Sequence, residues 1–263
     1  MLIDFHAHYF PEETAKESLE KLASKAGVPC FGDGTRASVL DFMRQDGVTL
    51  TVNQPVATKP EQVPGINRRM VEANRDPSGI VCFGSMYPGY EWYEEELRFL
   101  SSSGIRGIKL HSEYQDFYPE DPKHFPLYQA CAKNSIALLF HAGMDLVYTT
   151  VHCKPSKMLD LLSIRGITII LAHMGGYRMW DEVEEYLVGR KFYFDLAYCA
   201  EMDNVQLRRM ILRHGSDKIL FATDFPWERA SNMKAKVDSL GLPARDLENI
   251  YFRNALQLLG RRG

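Results

Sequence analysis

Several short apolar runs of this sequence end in a histidine or an aspartate. His6 and His8 stand two positions apart after the first run, and later runs end in His141, His173 and Asp224. If these runs are β-strands, side chains two positions apart project to the same side, so both imidazoles of the pair point toward one place. Imidazole nitrogens and carboxylate oxygens are ligands that divalent metal ions take. The pattern therefore predicts a metal site.

The elements that position these side chains alternate along the chain. The sequence predicts strands at 2–6, 48–53, 80–85, 107–111, 137–141, 168–173, 192–196 and 219–223. It predicts helices at 37–45, 66–75, 91–100, 126–133, 156–162, 181–188, 204–213 and 244–259. Such alternation predicts an α/β fold that closes as a (β/α)8 TIM barrel, in which the carboxyl ends of all strands meet at one rim.

The length of the chain fits one such barrel. A typical barrel has about 250 residues, and we predict a single domain over residues 1–263. Residues 11–36 interrupt the alternation after the first strand with a charged amphipathic stretch and a loop containing Gly and Pro, so we predict an insertion there. This insertion either covers the active site, contributes to a dimer contact, or is a solvent-exposed segment without a function.

Composition and charge narrow the classes of partner. A net charge of −3 and a pI near 6.3 argue against nucleic acid and anionic membranes. No apolar run reaches the roughly 18 residues of a membrane span, and the first residues do not resemble a signal peptide, so we expect a cytoplasmic protein. The five cysteines show no C-x-x-C spacing, which predicts reduced structural thiols. We expect a homodimer, because this is the commonest assembly among soluble oligomers.

Five segments occur in a characteristic order over essentially the whole chain. They are Asp4 to His8, Gly107 to His111, Phe140 to Gly143, Ala172 to Gly176 and Ala222 to Trp227. With these segments the chain resembles the amidohydrolase superfamily, in particular the amidohydrolase-related branch that includes aminocarboxymuconate-semialdehyde decarboxylase. The resemblance implies one divalent ion, most often zinc, with His173 beside it; the implied ligands are His6, His8, His141 and Asp224. Mn²⁺, Fe²⁺ and Co²⁺ suit the same ligands.

The resemblance also implies an activity. We expect a metal-dependent hydrolase that acts on a small molecule through a metal-activated water, with Asp224 taking the proton and His173 polarising the substrate or protonating the leaving group. The alternative is non-oxidative decarboxylation of a small carboxylic acid, which the same branch supports. A barrel without turnover is a third interpretation, which is disfavoured because no predicted ligand is missing.

Lys109, His111 and Trp227 are predicted to bind the substrate. Lys109 shares a strand face with His111, and we expect its ammonium to bind a substrate carboxylate or to form a buried ion pair, in preference to a carboxylated lysine that bridges two metals. Trp227 is either a pocket wall or part of the core. Glu113 keeps a second two-metal arrangement open. Asp195 either supports a ligand or makes an ordinary hydrogen bond.

Overall fold

The computed structural model describes residues 1–261 and contains nine parallel strands. They are β1 (Ile3–Ala7), β2 (Leu50–Asn53), β3 (Ile80–Cys82), β4 (Gly84–Ser85), β5 (Gly107–Leu110), β6 (Ala137–Phe140), β7 (Ile169–Leu171), β8 (Tyr193–Asp195) and β9 (Ile219–Leu220). Strands β1, β2 and β3 form one sheet in that order, and β4 to β9 form the other. A single residue, Phe83, separates β3 from β4, so these two strands together are the third predicted strand. All eight predicted strands are therefore present.

Backbone hydrogen bonds join the last strand to the first. The N–H of Phe5 donates to the oxygen of Phe221 at 2.9 Å, and the N–H of Asp224 donates to the oxygen of His6 at 2.8 Å. These bonds bring the carboxyl ends of β1 and β9 side by side. The predicted α/β TIM barrel is confirmed, although its ring consists of two ladders linked by such bonds instead of one continuous ladder.

Helices follow the strands. They are α1 (Ala15–Ala26), α2 (Arg36–Asp46), α3 (Val63–Ala73), α4 (Tyr93–Ser102), α5 (Ser112–Gln115), α6 (Phe125–Lys133), α7 (Trp180–Tyr186), α8 (Asn204–His214), α9 (Ala230–Ser239), α10 (Ala244–Glu248) and α11 (Asn254–Leu258). Four 3-10 helices are added at Pro60–Gln62, Pro122–His124, Pro155–Ser163 and Ser216–Lys218, and the π-helical turn Asn249–Arg253 joins α10 to α11.

Several helical segments differ from the predicted helices, among them α1, α5, the segment 155–163 and α9. The segment 155–163, predicted as an α-helix from 156 to 162, is a 3-10 helix whose buried residues Pro155, Met158 and Leu161 recur every third position, which is the 3-10 period. Helix α9 was not predicted. Sequence reasoning missed it although its buried residues, Ala230, Met233 and Val237, recur with helical spacing.

Apolar side chains fill the barrel interior at the end opposite the predicted site. Apolar side chains of β1, β2, β6, β7 and β9, among them Phe5 and Leu139, pack together with Leu256 and Leu259 at the C-terminal helix. Gly260 lies beside Arg106, directly before β5, so α11 covers the amino-terminal end of the strands. A larger apolar cluster lies between strands and helices. The carboxyl-terminal rim is therefore the end at which a cavity can open.

The insertion after β1 begins with a helix. It contains α1, which ends at Gly27 with a φ of +66°, a conformation that glycine adopts without strain.

Among residues 1–261, every helix is too short or too polar to cross a bilayer.

Candidate metal centre

The rim between β1 and β9 brings three of the four predicted ligands together. One ligand atom from each of His6, His8 and Asp224 lies within 4.8 Å of the other two. Asp224 Oδ1 is 3.1 Å from His8 Nε2 and 3.4 Å from His6 Nε2. Asp224 has a φ of +68°, and His173, at the end of β7, has a φ of +61°. Two of the candidate residues thus lie in a backbone conformation that is uncommon for residues other than glycine and is often found at functional sites.

The hydrogen bonds made by Nδ1 of His6 and His8 leave a lone pair on each Nε2, and the lone pair of His6 faces the Lys109 ammonium at 3.0 Å. His6 Nδ1 donates to the carboxylate of Asp195 at 2.8 Å, and His8 Nδ1 donates to the backbone oxygen of Gln54 at 2.8 Å. A neutral imidazole carries one ring proton, so both Nε2 atoms are acceptors, and the nearby carboxylate of Asp224 is an acceptor as well. Acceptors that face one another need a cation or a proton between them. The donor set therefore fits a divalent metal ion.

Lys109 brings positive charge to the inner end of this group. Lys109 and His6 are each 1% exposed, and Lys109 Nζ lies 3.0 Å from His6 Nε2. Burial, together with the nearby Lys109, holds the pKa of His6 well below its usual value, which keeps the ring neutral and able to bind a metal. Burial also lowers the pKa of Lys109 to about 8, so the ammonium form predominates at neutral pH.

His141, the fourth predicted ligand, lies beside this group without joining it. Its Nδ1 is 3.0 Å from His173 Nε2, and its Nε2 is 3.1 Å from the backbone oxygen of Met144. His173 Nδ1 donates in turn to the oxygen of Ala197 at 2.9 Å. The ring of His173 is 5.7 Å from that of His6, measured between centroids. His173 therefore stands between His141 and the three gathered ligands.

A second group of possible ligands consists of His111, His141 and Asp145. The rings of His111 and His141 are stacked with centroids 4.2 Å apart and an angle of 8° between their planes. Because imidazole lone pairs lie in the ring plane, parallel rings direct them side by side and not toward one ion. Tyr114 stacks on the other face of His111 at 3.7 Å. This stack fits a wall of the cavity better than a second metal site.

Glu113 lies behind this wall. Its Oε1 accepts a hydrogen bond from the backbone N–H of His152 at 3.0 Å, and its Oε2 is 3.7 Å from His111 Nδ1. Burial raises its pKa to about 7. Glu113 belongs to neither group of possible ligands, so the geometry gives no support to the arrangement in which it binds a second metal.

Two buried carboxylates hold the segments that carry the ligands. Asp195, at the end of β8, accepts from the His6 ring through Oδ2 and from the backbone N–H of His173 through Oδ1 at 2.9 Å. Asp4 accepts from the backbone N–H of Thr223 at 3.0 Å and from its hydroxyl at 2.6 Å, which fixes β1 against the residue before Asp224. Sequence reasoning assigned Asp4 no role. A charged residue inside the apolar first strand was the available signal.

A cavity of about 790 Å³ opens from the candidate ligands toward the surface. It is also lined by Lys109, His111 and Trp227, the three residues predicted to bind substrate. Its outer walls are α1 of the insertion, α3 and the loop 144–148, so the insertion covers the site, as one of the three alternatives proposed. Sequence reasoning missed Tyr114 and Asp145, which follow strand ends by four or five residues and line the same cavity.

The chain is similar to known proteins in its sequence family and in its fold. A family model described as Amidohydrolase matches residues 3–261. A search among curated proteins finds no match. Similar solved structures include a 2,6-dihydroxybenzoate decarboxylase from Rhizobium, with 17% identity, a TM-score of 0.72, and 98% of each chain covered. A 5-carboxyvanillate decarboxylase from Sphingomonas paucimobilis has 14% identity, a TM-score of 0.71, and 99% of each chain covered.

A third similar structure was solved with a metal ion. It is a dihydroxybenzoic acid decarboxylase from a Polaromonas species, with bound manganese and the inhibitor 2-nitroresorcinol. It shares 16% identity and a TM-score of 0.70, and the alignment covers 98% of this chain and 96% of that chain. At these identities the three likenesses show a common fold.

Proposed function

This chain belongs to the amidohydrolase family, and from that premise we propose that it is a metal-dependent decarboxylase that releases CO2 from a small carboxylic acid. The observation that carries this proposal is the buried Lys109 ammonium beside His6 at the inner end of the cavity, where it can bind a substrate carboxylate. The prediction from the sequence was hydrolysis, with decarboxylation as the alternative. The activities named for the similar structures support the reverse order.

We propose that His6, His8 and Asp224 hold one divalent ion, and that His141 becomes the fourth ligand when its ring gives up its contacts with His173 and Met144. When bound, the ion supplies positive charge that stabilises negative charge developing on the substrate. Zinc was the expectation from the sequence, and the manganese of the Polaromonas structure makes Mn²⁺ an equal candidate. Asp195 keeps the proton of His6 on Nδ1, which leaves Nε2 free as a ligand.

The side chains around the ligands have distinct proposed roles in the reaction. Lys109 and His111 orient the carboxylate that will leave, while Trp227 and Tyr114 exclude water from it. The bond between the substrate carbon and its carboxylate breaks, CO2 departs, and the electron pair stays on that carbon. A proton from solvent then takes the place of CO2. It passes through Nε2 of His173, whose Nδ1 is held by Ala197, or through the Asp224 carboxyl group, each of which takes up the proton before delivering it.

The proposal is tested by following the carboxyl carbon. Protein loaded with Mn²⁺ or with Zn²⁺ is incubated with hydroxybenzoic acids labelled with ¹³C in the carboxyl group, including 2,6-dihydroxybenzoate and 5-carboxyvanillate. Mass spectrometry of the headspace should detect ¹³CO2, and a chelator should stop its release until metal is restored. Turnover of esters, lactones or amides in the absence of any CO2 release from the acids would refute decarboxylation.

Hydrolysis of a small molecule is the second candidate. Asp224 Oδ1 faces both imidazoles of the His-x-His pair and can accept a proton from a water bound there. Reaction in H₂¹⁸O separates the two activities when the organic product is examined, because only a hydrolase places the heavy oxygen there, whereas released CO2 exchanges oxygen with water in either case. Location in the cytoplasm, assembly as a homodimer and the absence of nucleic-acid partners remain predictions.

A further inference from the structure

The outer part of the cavity carries three cationic side chains that the proposed reaction does not use. Lys21 and Lys25 on α1 and Arg69 on α3 line the same cavity as Lys109. All three are exposed, whereas Lys109 is buried, so they lie at the mouth and Lys109 at the inner end. Lys16 on α1 pairs with Glu20, but within residues 1–261 no salt bridge involves any of the three.

The arrangement of α1 places its cations toward the cavity and its acids elsewhere. The cavity-lining residues of α1 recur with the spacing of one helix face: they are Ser18, Lys21, Leu22, Lys25 and Ala26. Glu17 and Glu20 do not line the cavity. Within residues 1–261, the carboxylates that do line it are Asp145 and Asp224, and both lie beside imidazoles of the inner end. The mouth is therefore cationic without acidic partners.

Apolar side chains also line the cavity. They include Leu22, Val56, Ile66, Leu146 and Val147. Its volume of about 790 Å³ lies in the upper part of the range of roughly 300 to 1,000 Å³ found for small-molecule sites. There is thus room for a ligand that extends from the buried lysine to the exposed cations.

We infer that the substrate is an elongated acid with a second anionic group, a carboxylate or a phosphate, at the end remote from the reacting carboxylate. Lys21, Lys25 and Arg69 bind that second group, and the apolar walls hold the body between. The assignment of the inner end rests on the proposed function. Exposed ion pairs are individually weak and screened by salt, so we expect the three cations together to change affinity about tenfold at low ionic strength.

Three rigid probes test this inference. Isothermal titration calorimetry of the metal-loaded protein is carried out with biphenyl-4-carboxylate, biphenyl-4,4'-dicarboxylate and 4'-phosphonobiphenyl-4-carboxylate. The two dianionic probes should bind about tenfold more tightly than the monoacid. Comparison of these two probes with each other shows whether the outer end prefers a carboxylate or a phosphate. The preference for a second anion should weaken as salt is added.

Matched variants assign the effect to residues. The triple variant Lys21→Ala, Lys25→Ala, Arg69→Ala should lose the preference for a second anion. The double variant Lys16→Ala, Arg68→Ala should keep it, because these cations lie on the same two helices outside the cavity. All five positions are exposed, so the thermal unfolding midpoint should change little and will verify that the variants are folded.

The outcomes separate the two proposals. Equal affinity for monoacid and diacid in the wild type, or an undiminished preference in the triple variant, overturns the outer site and leaves the proposed function standing. If the monoacid fails to bind while the diacid binds through the three cations, the outer site stands and the inner carboxylate anchor fails. If none of the probes binds, the outer site fails, and the release of ¹³CO2 alone decides the proposed function.

Discussion

Buried histidines occur at both ends of the barrel, and their hydrogen bonds differ. His214, the last residue of α8, is 3% exposed and lies at the amino-terminal end beside the start of β8. Its Nε2 donates to the oxygen of Phe192 at 2.9 Å, and its Nδ1 accepts from the N–H of Gly189 at 3.0 Å. One donor and one acceptor satisfy a neutral imidazole completely. His214 is therefore a structural histidine.

Two histidines of the opposite rim, His8 and His141, lack such complementary partners. His8 donates through Nδ1, so its Nε2 is an acceptor that faces the Asp224 carboxylate at 3.1 Å, whereas the Nε2 of His6 accepts from the Lys109 ammonium at 3.0 Å. His173 donates through Nδ1, so its Nε2 accepts the proton that His141 carries on Nδ1. His141 Nε2 is then without a proton, although it faces the backbone oxygen of Met144, which is also an acceptor. A count of ring protons, beyond burial alone, therefore separates His8 and His141, each of which has a nitrogen without a matching partner, from His214; for His6 the Lys109 ammonium supplies that partner.

Among the variants that test this difference between the two ends, Asp224→Asn should have the largest effect on metal content and turnover. The amide removes the negative charge that balances a divalent ion, and the loss of several kcal/mol of charge stabilisation corresponds to at least about a thousandfold in turnover. Metal content by plasma mass spectrometry and the rate of CO2 release measure the effect. Asp217→Asn, at an exposed position near the opposite end, is the matched control and should leave both unchanged. Full metal content together with normal turnover in the Asp224→Asn variant would refute the proposed ligand.

A smaller effect is expected from Asp195→Asn. The amide would face His6 Nδ1 with its own N–H group, favour the tautomer with the proton on Nε2, and so block the ligand atom. Loss of a partner that orients a ligand typically weakens metal affinity by about 10- to 100-fold. Competition with a chelator of known affinity measures the change in Kd. An unchanged Kd in a folded variant would show that Asp195 does not set the tautomer of His6.

The barrel and its active rim could be predicted from the sequence because their signals are local. Each apolar run is short enough for a strand and ends in a polar residue, and the topology of a barrel brings all strand ends to one rim. This is why His6, His8 and Asp224 were found and do lie together. His214 ends a helix and not a strand, so it falls outside that pattern, and its hydrogen bonding is complete.

The remaining features depend on contacts between distant segments. The orientation of His141 depends on Met144 and on His173, which lies 32 positions further along the chain, and no local pattern specifies it. The role of Lys21 and Lys25 depends on how the insertion docks over the rim. The helical spacing of residues 18 to 26 was visible in the sequence, but the side to which this face turns was not.

The next effect in size is expected from Lys109→Met, which keeps the length of the side chain and removes its charge. If the ammonium binds the substrate carboxylate, KM should rise by about tenfold, in line with the loss of one hydrogen bond to a charged group. Steady-state kinetics separate KM from kcat. Lys218→Met, at the amino-terminal end near His214, is the control and should leave KM unaltered. An unchanged KM in the Lys109→Met variant would remove Lys109 from substrate binding.

The smallest effect on activity is expected at His214, where the consequence is for stability alone. Burial lowers the pKa of His214 from 6.5 to about 4 in the folded state, so the unfolded chain takes up a proton first as pH falls. The stabilising contribution is present above pH 6.5 and is lost as pH falls to about 4, with a maximum of about 3 kcal/mol. In His214→Gln, whose side chain does not titrate in this range, that part of the pH dependence should disappear. Urea unfolding at several pH values between about 4 and 7 measures it, with metal content and turnover at neutral pH as the control. A variant that keeps the wild-type pH dependence, or one that loses metal, would break the division between a structural and a metal-binding end of the barrel.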